Sequence, residues 1–140
     1  MVRILLDTCV LSEIQRPQGE PRVRRRVAEI APEELFLSAI TLGEASKGIA
    51  LLVEGRRKRE LASWLSGLEQ RFGEQILPVT REVAHIWGEL AARAQTAGIQ
   101  IPVTDGLIAA TALNHGLHVM TRNTRHFAAT GVLIIDPWTP

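Results

Sequence analysis

Short apolar runs alternate with helix-like segments along this chain, and that alternation is the strongest constraint on its fold. Five runs are short and mainly apolar, as buried parallel strands often are, and predict strands at 2–6, 35–37, 75–79, 117–120 and 132–135. Apolar residues at helical spacing predict helices at 8–15, 21–30, 41–52, 56–72, 80–97 and about 104–116. This order predicts an α/β fold, in which a central, mostly parallel sheet of about five strands is flanked by helices on both faces.

Composition narrows the class of protein. Of 140 residues, 46% are hydrophobic and 22% are charged, which is typical of a globular protein. No apolar run approaches the roughly 20 residues that a membrane-spanning helix needs. The single cysteine, Cys9, excludes an intrachain disulfide and fits a reducing cytoplasm. Because no repeat or linker interrupts the pattern, we expect residues 1–140 to form a single domain. From the lone cysteine and the short apolar runs we expect this domain to lie in the cytoplasm and not in a membrane.

Acidic residues stand where an apolar core normally avoids charge. The sequence contains three aspartates, of which Asp7 ends the first apolar run and Asp105 opens a later one. Glu44 is predicted in the first turn of the helix after the second strand, and Asn123 follows the fourth strand. Ligands of open α/β sheets bind beyond the carboxyl ends of the strands. We therefore expect these four residues to gather at one edge of the sheet.

Carboxylates brought together in this way need a counter-charge. If Asp7, Glu44 and Asp105 met within about 4 Å, each pair would repel by about 4 kcal/mol at an effective dielectric constant near 20. Such a cluster takes up a proton or binds a cation. Oxygen ligands without Cys or His favour Mg²⁺ or Mn²⁺ over zinc, and a hydrated Mg²⁺ suits hydrolysis of a phosphodiester.

Each of these residues also has a purely structural explanation. Thr41 and Glu44 have the spacing of a capping box. Asp105 suits the positive end of a helix dipole, and Asp7 suits a helix N-cap. Asn123 is a common turn residue. Only the combination of the four favours a functional site.

Other reactive or charged residues carry weaker signals. We expect His126 to be a surface residue and Cys9 to face helix packing, since no basic residue beside Cys9 suggests a lowered thiol pKa. Two basic clusters are expected to be solvated helix faces or, alternatively, nucleic-acid contacts. They are Arg22, Arg24, Arg25 and Arg26, and Arg56, Arg57, Lys58 and Arg59.

The candidate residues lie within five motifs that follow one another along the chain. They are Leu5-Leu6-Asp7-Thr8-Cys9-Val10-Leu11-Ser12-Glu13, Leu37-Ser38-Ala39-Ile40-Thr41-Leu42-Gly43-Glu44, Val103-Thr104-Asp105-Gly106-Leu107-Ile108-Ala109-Ala110, Thr121-Arg122-Asn123-Thr124-Arg125-His126-Phe127 and Asp136-Pro137-Trp138. In order and spacing these motifs resemble those of PIN-domain ribonuclease toxins of the VapC class, in the branch of FitB-type and plasmid-stability proteins. Three positions depart from the family pattern. Cys9 replaces the more usual Asn or Ser, Asn123 stands where many relatives have aspartate, and His126 replaces an aspartate often found before the Phe.

The resemblance implies a Mg²⁺-dependent endoribonuclease, with Mn²⁺ as an alternative ion, that acts as the toxin of a type II toxin–antitoxin pair. It implies catalytic roles for Asp7, Glu44, Asp105 and Asn123, of which the three acids would hold the metal ion. Thr8 and Thr121 would support the site by hydrogen bonds to a carboxylate or to a water.

The resemblance also implies partners. RNA would be the substrate, and Arg122 and Arg125 would contact its phosphates or simply solvate a loop. A small antitoxin would block the site. The toxin would form a homodimer, with a higher assembly when the antitoxin is bound, and would reach operator DNA only through the antitoxin.

Two other functions are open to this sequence. A phosphoacceptor domain would use Asp7, but it needs a second acid beside Asp7 and a lysine near a late strand, and only Lys47 and Lys58 are present. A catalytically weak PIN domain would act as a regulatory module that binds the antitoxin and operator DNA.

Overall fold

The computed structural model describes residues 2–140 as a parallel sheet covered by helices. Its strands are β1 (Ile4–Leu6), β2 (Leu35–Ser38), β3 (Ile76–Leu77), β4 (His118–Met120) and β5 (Ile134–Ile135). Its helices are α1 (Thr8–Gln15), α2 (Pro21–Ala28), α3 (Ala39–Ala50), α4 (Arg56–Phe72), α5 (Arg81–Thr96), α6 (Val103–His115) and α7 (Thr124–Ala128). Short 3₁₀ turns at Pro32–Glu34 and Gly73–Gln75 precede β2 and β3.

The sheet has the strand order β3-β2-β1-β4-β5, and every neighbouring pair is parallel. β1 is therefore central, with Leu5 opposite Phe36 of β2 and Val119 of β4. Because all strands run the same way, their carboxyl ends form one edge. The predicted α/β fold with a parallel five-stranded sheet is confirmed.

Each face of the sheet has its own hydrophobic core. Leu5 packs with Ile108 and Val119 in one core, whereas its neighbours Ile4 and Leu6 pack in the other. This follows from the alternation of side chains along a strand. Both faces are thus buried, as predicted for helices on both sides of the sheet.

The element boundaries differ from prediction in a few places. α3 begins at Ala39, two residues earlier than expected, because Ser38 caps it by accepting a hydrogen bond from the Ile40 N–H. β3 is shorter than predicted, since a 3₁₀ turn comes before it and Pro78 cannot donate to a ladder. α7 was not predicted, because its only buried residue is Phe127 and it shows no apolar periodicity.

None of the helices within residues 2–140 is long and apolar enough to cross a membrane.

Candidate active site

The carboxyl end of the central strand β1 carries Asp7. The Asp7 N–H donates to the Met120 carbonyl at 3.0 Å, and the Thr121 N–H donates to the Ile135 carbonyl at 3.0 Å, so the backbone extends the sheet hydrogen bonding beyond the strands. Asp7 and Thr121 are therefore neighbours at this edge, although 114 positions separate them in the sequence. This edge, formed by the carboxyl ends of the strands, is the one at which the sequence predicted the candidate site.

Asp7 is 2% exposed, and its carboxylate accepts hydrogen bonds on both oxygens. Oδ1 accepts from the Thr8 N–H at 2.8 Å, which makes Asp7 the N-cap of α1. Oδ2 accepts from the Thr121 hydroxyl at 2.7 Å. Burial raises the pKa of Asp7, and the charge of Asp105 raises it further, while the bonds from Thr121 and Thr8 oppose the rise. The capping explanation is correct, and the same carboxylate also lies in the site.

Glu44 reaches this edge from α3. Its Oε1 accepts a hydrogen bond from the Thr8 hydroxyl at 2.5 Å, and the same hydroxyl lies 3.3 Å from the Thr41 hydroxyl. Thr8 therefore links the carboxylates of Asp7 and Glu44. The predicted capping box of Thr41 and Glu44 is wrong, because Ser38 is the N-cap; Glu44 consequently lies in the second turn of α3 and not in the first.

Asp105 lies in the first turn of α6, as predicted, where the helix dipole favours its charge. It is 8% exposed, and its Oδ2 lies 2.6 Å from His126 Nδ1. Burial raises the pKa of Asp105, the hydrogen bond and charge of His126 lower it, and the charge of Glu44 raises it. The His126 ring is partly exposed, as expected of a surface residue, but the unpredicted helix α7 also brings it into contact with Asp105.

Cys9 packs against the apolar core, as predicted, and its sulfur also borders the carboxylate network. Cys9 Sγ lies 3.5 Å from Asp7 Oδ2 and 3.6 Å from Thr121 Oγ1, and it accepts from the Arg122 N–H at 3.4 Å. Burial, followed by the charge of Asp7, raises the pKa of the Cys9 thiol to about 11. The thiol is therefore protonated at neutral pH.

Asn123 is exposed at the N-cap position of α7, where its side chain makes no capping bond. Its N–H donates to the Thr121 hydroxyl at 2.9 Å, and its carbonyl accepts from the His126 N–H at 3.1 Å. These contacts are those of a turn residue. Its catalytic role stays a prediction.

The three acids do not form a ready-made cage. Among residues 2–140, no three His, Cys, Asp or Glu side chains are arranged to hold a metal ion together. The charge of Asp105 nevertheless acts on Asp7, and that of Glu44 acts on Asp105. Thr8 holds the Glu44 carboxylate and His126 holds that of Asp105 by hydrogen bonds.

The site nevertheless fits a hard divalent cation. Neither Asp7 nor Glu44 has an ion-pair partner among the described residues, and Asp105 pairs only with His126. Ionised carboxylates in such surroundings need compensating charge. Mg²⁺ is usually bound by one or two carboxylates and several waters, so it does not require a closed three-ligand cage.

The arginines divide into those with internal contacts and those facing solvent. The Arg122 guanidinium lies 5.1 Å from the centre of the Trp138 ring, whereas Arg125 is exposed. In the first basic cluster, Arg22 donates to the Trp138 carbonyl at 2.9 Å, and Arg26 donates to the Asp136 and Thr139 carbonyls. The expectation that this cluster is simply a solvated face is wrong for Arg22 and Arg26, since they hold the C-terminal segment.

Known proteins resemble this chain over nearly its whole length. Residues 4–133 match the PIN domain family. The chain is 42% identical to Toxin FitB of Neisseria gonorrhoeae over 136 residues, which is 96% of this chain and 98% of that protein. It is 37% identical to VapC ribonuclease Y4jK of Sinorhizobium fredii over 138 residues, covering 98% and 99% of the two proteins.

A solved structure shows the same fold. FitAB bound to an IR36 DNA fragment contains a chain with a TM-score of 0.93 and 40% identity, over 98% of this chain and 96% of that one. The motifs quoted above, the parallel sheet and these matches agree. The chain belongs to the PIN domain family, in its VapC toxin class.

Proposed function

We propose that this protein is the ribonuclease toxin of a type II toxin–antitoxin pair, and that it cleaves RNA internally at the edge of the sheet carrying Asp7, Glu44 and Asp105. The observation that carries the proposal is a pair of buried carboxylates, Asp7 and Asp105, each with a raised pKa and neither paired with Lys or Arg. The relatives named as a toxin and as a VapC ribonuclease support it.

PIN ribonucleases depend on a divalent metal ion, and we take the ion here to be Mg²⁺, with Mn²⁺ as a substitute. Asp7, Glu44 and Asp105 would hold it, since hard oxygen ligands suit both ions. When bound, the ion polarises a phosphoryl oxygen and lowers the pKa of an attacking water.

The surrounding residues keep the carboxylates in place. The Thr121 hydroxyl and the Thr8 N–H fix both oxygens of Asp7, and the Thr8 hydroxyl fixes Glu44. Directional hydrogen bonds of this kind prevent repelling carboxylates from turning apart. Asn123 would add a neutral oxygen, and Arg122 and Arg125 would contact RNA phosphates.

The partners follow from the same assignment. A small antitoxin would block the site, and the toxin would form a homodimer, with a larger assembly when the antitoxin is bound. Operator DNA would be reached only through the antitoxin. We take residues 1–140 to act as one domain in the cytoplasm, where the RNA substrate is found.

A second candidate function is a catalytically weak PIN domain that regulates its own operon with the antitoxin. The solved structure of FitAB on DNA favours it, because a DNA-bound assembly does not require cleavage by this chain. The intact Asp7, Glu44 and Asp105 favour the ribonuclease. A phosphoacceptor role has no support beyond Asp7, since Lys58 pairs with Glu54 at 2.8 Å.

The test is RNA cleavage by purified, antitoxin-free protein with Mg²⁺ and with EDTA. Asp7→Asn and Asp105→Asn should each lower the rate by more than about 100-fold, beyond the 10–100-fold typical of residues that only support a metal ligand. Asp136→Asn is the matched control, because Asp136 caps the Trp138 N–H and contacts none of the three acids. Equal activity in EDTA, or an inactive wild type with Mg²⁺ and Mn²⁺, would favour the regulatory module.

A further inference from the structure

We propose that His126 is a positioning residue for the metal site, which holds Asp105 Oδ2 through Nδ1–H and leaves Oδ1 as the oxygen available to a metal ion. The inference rests on the proposed function and adds a residue to it. His126 would act through Asp105 and would not itself need to touch the ion or the RNA.

The first support is how little else holds Asp105. Among residues 2–140, its carboxylate has one hydrogen-bond partner, His126 Nδ1 at 2.6 Å. The Asp105 side chain is not held by a helix-capping hydrogen bond either, because the N-cap position of α6 is Pro102 and no side chain caps this helix. Without His126, the carboxylate would be free to rotate about its side-chain bonds.

The second support is how firmly the His126 backbone is placed. The next residue, Phe127, is fully buried and anchors α7 to the core. The N–H groups of His126 and Phe127 donate to the Asn123 carbonyl at 3.1 and 3.4 Å. The five residues of α7 therefore bring the His126 ring to Asp105 on a fixed backbone.

The third support is the direction of the hydrogen bond. An ionised carboxylate only accepts, so Nδ1 must carry the hydrogen and Nε2 is left over. Nε2 has no hydrogen-bond partner within residues 2–140. The ring thus donates to Asp105 from one defined nitrogen, and carboxylates that bind metal ions are commonly held by such hydrogen bonds.

Three substitutions separate positioning from simple loss of a side chain. His126→Asn keeps an N–H donor at the covalent distance of Nδ1 from the backbone, whereas His126→Gln moves the donor outward, towards the place of Nε2. His126→Ala removes both. His85→Ala is the matched control, because His85 is exposed on α5, outside the carboxylate network.

The experiment measures Mn²⁺ binding by electron paramagnetic resonance, together with cleavage at increasing Mg²⁺, on antitoxin-free protein. We expect His126→Ala to weaken Mn²⁺ binding by at least about 10-fold and to raise the Mg²⁺ needed for half-maximal cleavage in parallel. His126→Asn should recover most of the loss, His126→Gln should resemble His126→Ala, and His85→Ala should resemble wild type.

Several outcomes would overturn the proposal. Wild-type affinity in His126→Ala would show that Asp105 needs no such support, and rescue by Gln but not by Asn would place the acting nitrogen at Nε2. If His126→Ala fails to fold, the comparison of Asn with Gln still decides. A wild type that neither binds Mn²⁺ nor cleaves RNA would overturn the proposed function as well, whereas an active wild type matched by His126→Ala would overturn this inference alone.

Discussion

Asp7 is held by the centre of the sheet, whereas Asp105 is held by a single side chain from a five-residue helix. The Asp7 carboxylate contacts the Thr8 N–H, the Thr121 hydroxyl and the Cys9 sulfur, all fixed next to β1 and β4. The Asp105 carboxylate contacts only His126 among the described residues. The two halves of one site are thus supported in different ways.

Because of this difference, we expect changes around Asp7 to affect mainly stability and changes around Asp105 to affect mainly metal binding. Support for Asp7 comes from groups fixed next to the central strands, among them the fully buried Thr121, so removing that support should cost stability. Support for Asp105 comes from a ring that is 38% exposed, so removing it should cost metal binding and little stability.

The largest expected effect is on stability, from Thr121→Val. This nearly isosteric change leaves the buried Asp7 without one donor, which should lower the free energy of unfolding by about 1–3 kcal/mol at neutral pH. Thr111→Val is the matched control, because Thr111 is equally buried and its hydroxyl donates to the Leu107 carbonyl, not to any of the three acids. Denaturant unfolding measures both, and a loss of stability in Thr121→Val no larger than in Thr111→Val or in His126→Ala would contradict this difference between Asp7 and Asp105.

A second effect concerns the thiol of Cys9, which lies next to Asp7. Because the pKa of the Cys9 thiol is raised to about 11, the thiol should react only slowly with iodoacetamide at neutral pH. The rate should be at least about 10-fold slower than that of a free thiol, even after allowing for the greater nucleophilicity of a more basic thiolate. Asp7→Asn should speed the reaction, since it removes a negative charge next to the sulfur. A Cys9 rate equal to that of free cysteine would show that the network does not bury the thiol.

A third, smaller effect is on the pH dependence of stability without metal. Asp7 and Asp105 have folded-state pKa values above 3.8, so the folded state holds more protons than the unfolded state between the two values. Their contribution to stability is therefore lost as pH rises from 3.8 through the raised pKa. Unfolding measured against pH in EDTA should show a shallower fall for Asp7→Asn than for Asp136→Asn. An unchanged profile would mean that Asp7 titrates as it does in the unfolded chain.

The smallest effect is expected at Arg122 and Arg125, two exposed arginines that follow β4. Arg125→Gln should reduce the slope of log affinity for single-stranded RNA against log salt by about 0.7, the value for one phosphate contact. Arg122→Gln should do the same, although it also breaks the contact with Trp138. Binding is measured in EDTA, so that cleavage does not interfere. A slope that stays the same in both variants would remove these arginines from the RNA contact.

The sequence predicted the sheet and the edge at which Asp7, Glu44 and Asp105 lie, because strand and helix periodicity are local properties. It also predicted Thr8 and Thr121 as hydrogen-bond donors, through the resemblance, and those bonds to carboxylates are present.

The sequence failed where contacts depend on distant segments. His126 meets Asp105 only through α7, whose one buried residue leaves no periodic signal. The contact of the Cys9 sulfur with Thr121 likewise depends on the residue that follows β4, 112 positions away. The capping box at Glu44 failed for a local reason, since Ser38 was the stronger cap and lay just outside the predicted helix.

Calorimetric titration of Mg²⁺ into antitoxin-free protein tests most directly whether Asp7 helps to hold a divalent metal ion. We expect the wild type to bind Mg²⁺ and Asp7→Asn to lose the binding while it stays folded, with Asp136→Asn binding as the wild type does. Equal Mg²⁺ affinity in the wild type and in folded Asp7→Asn would show that Asp7 does not hold the ion.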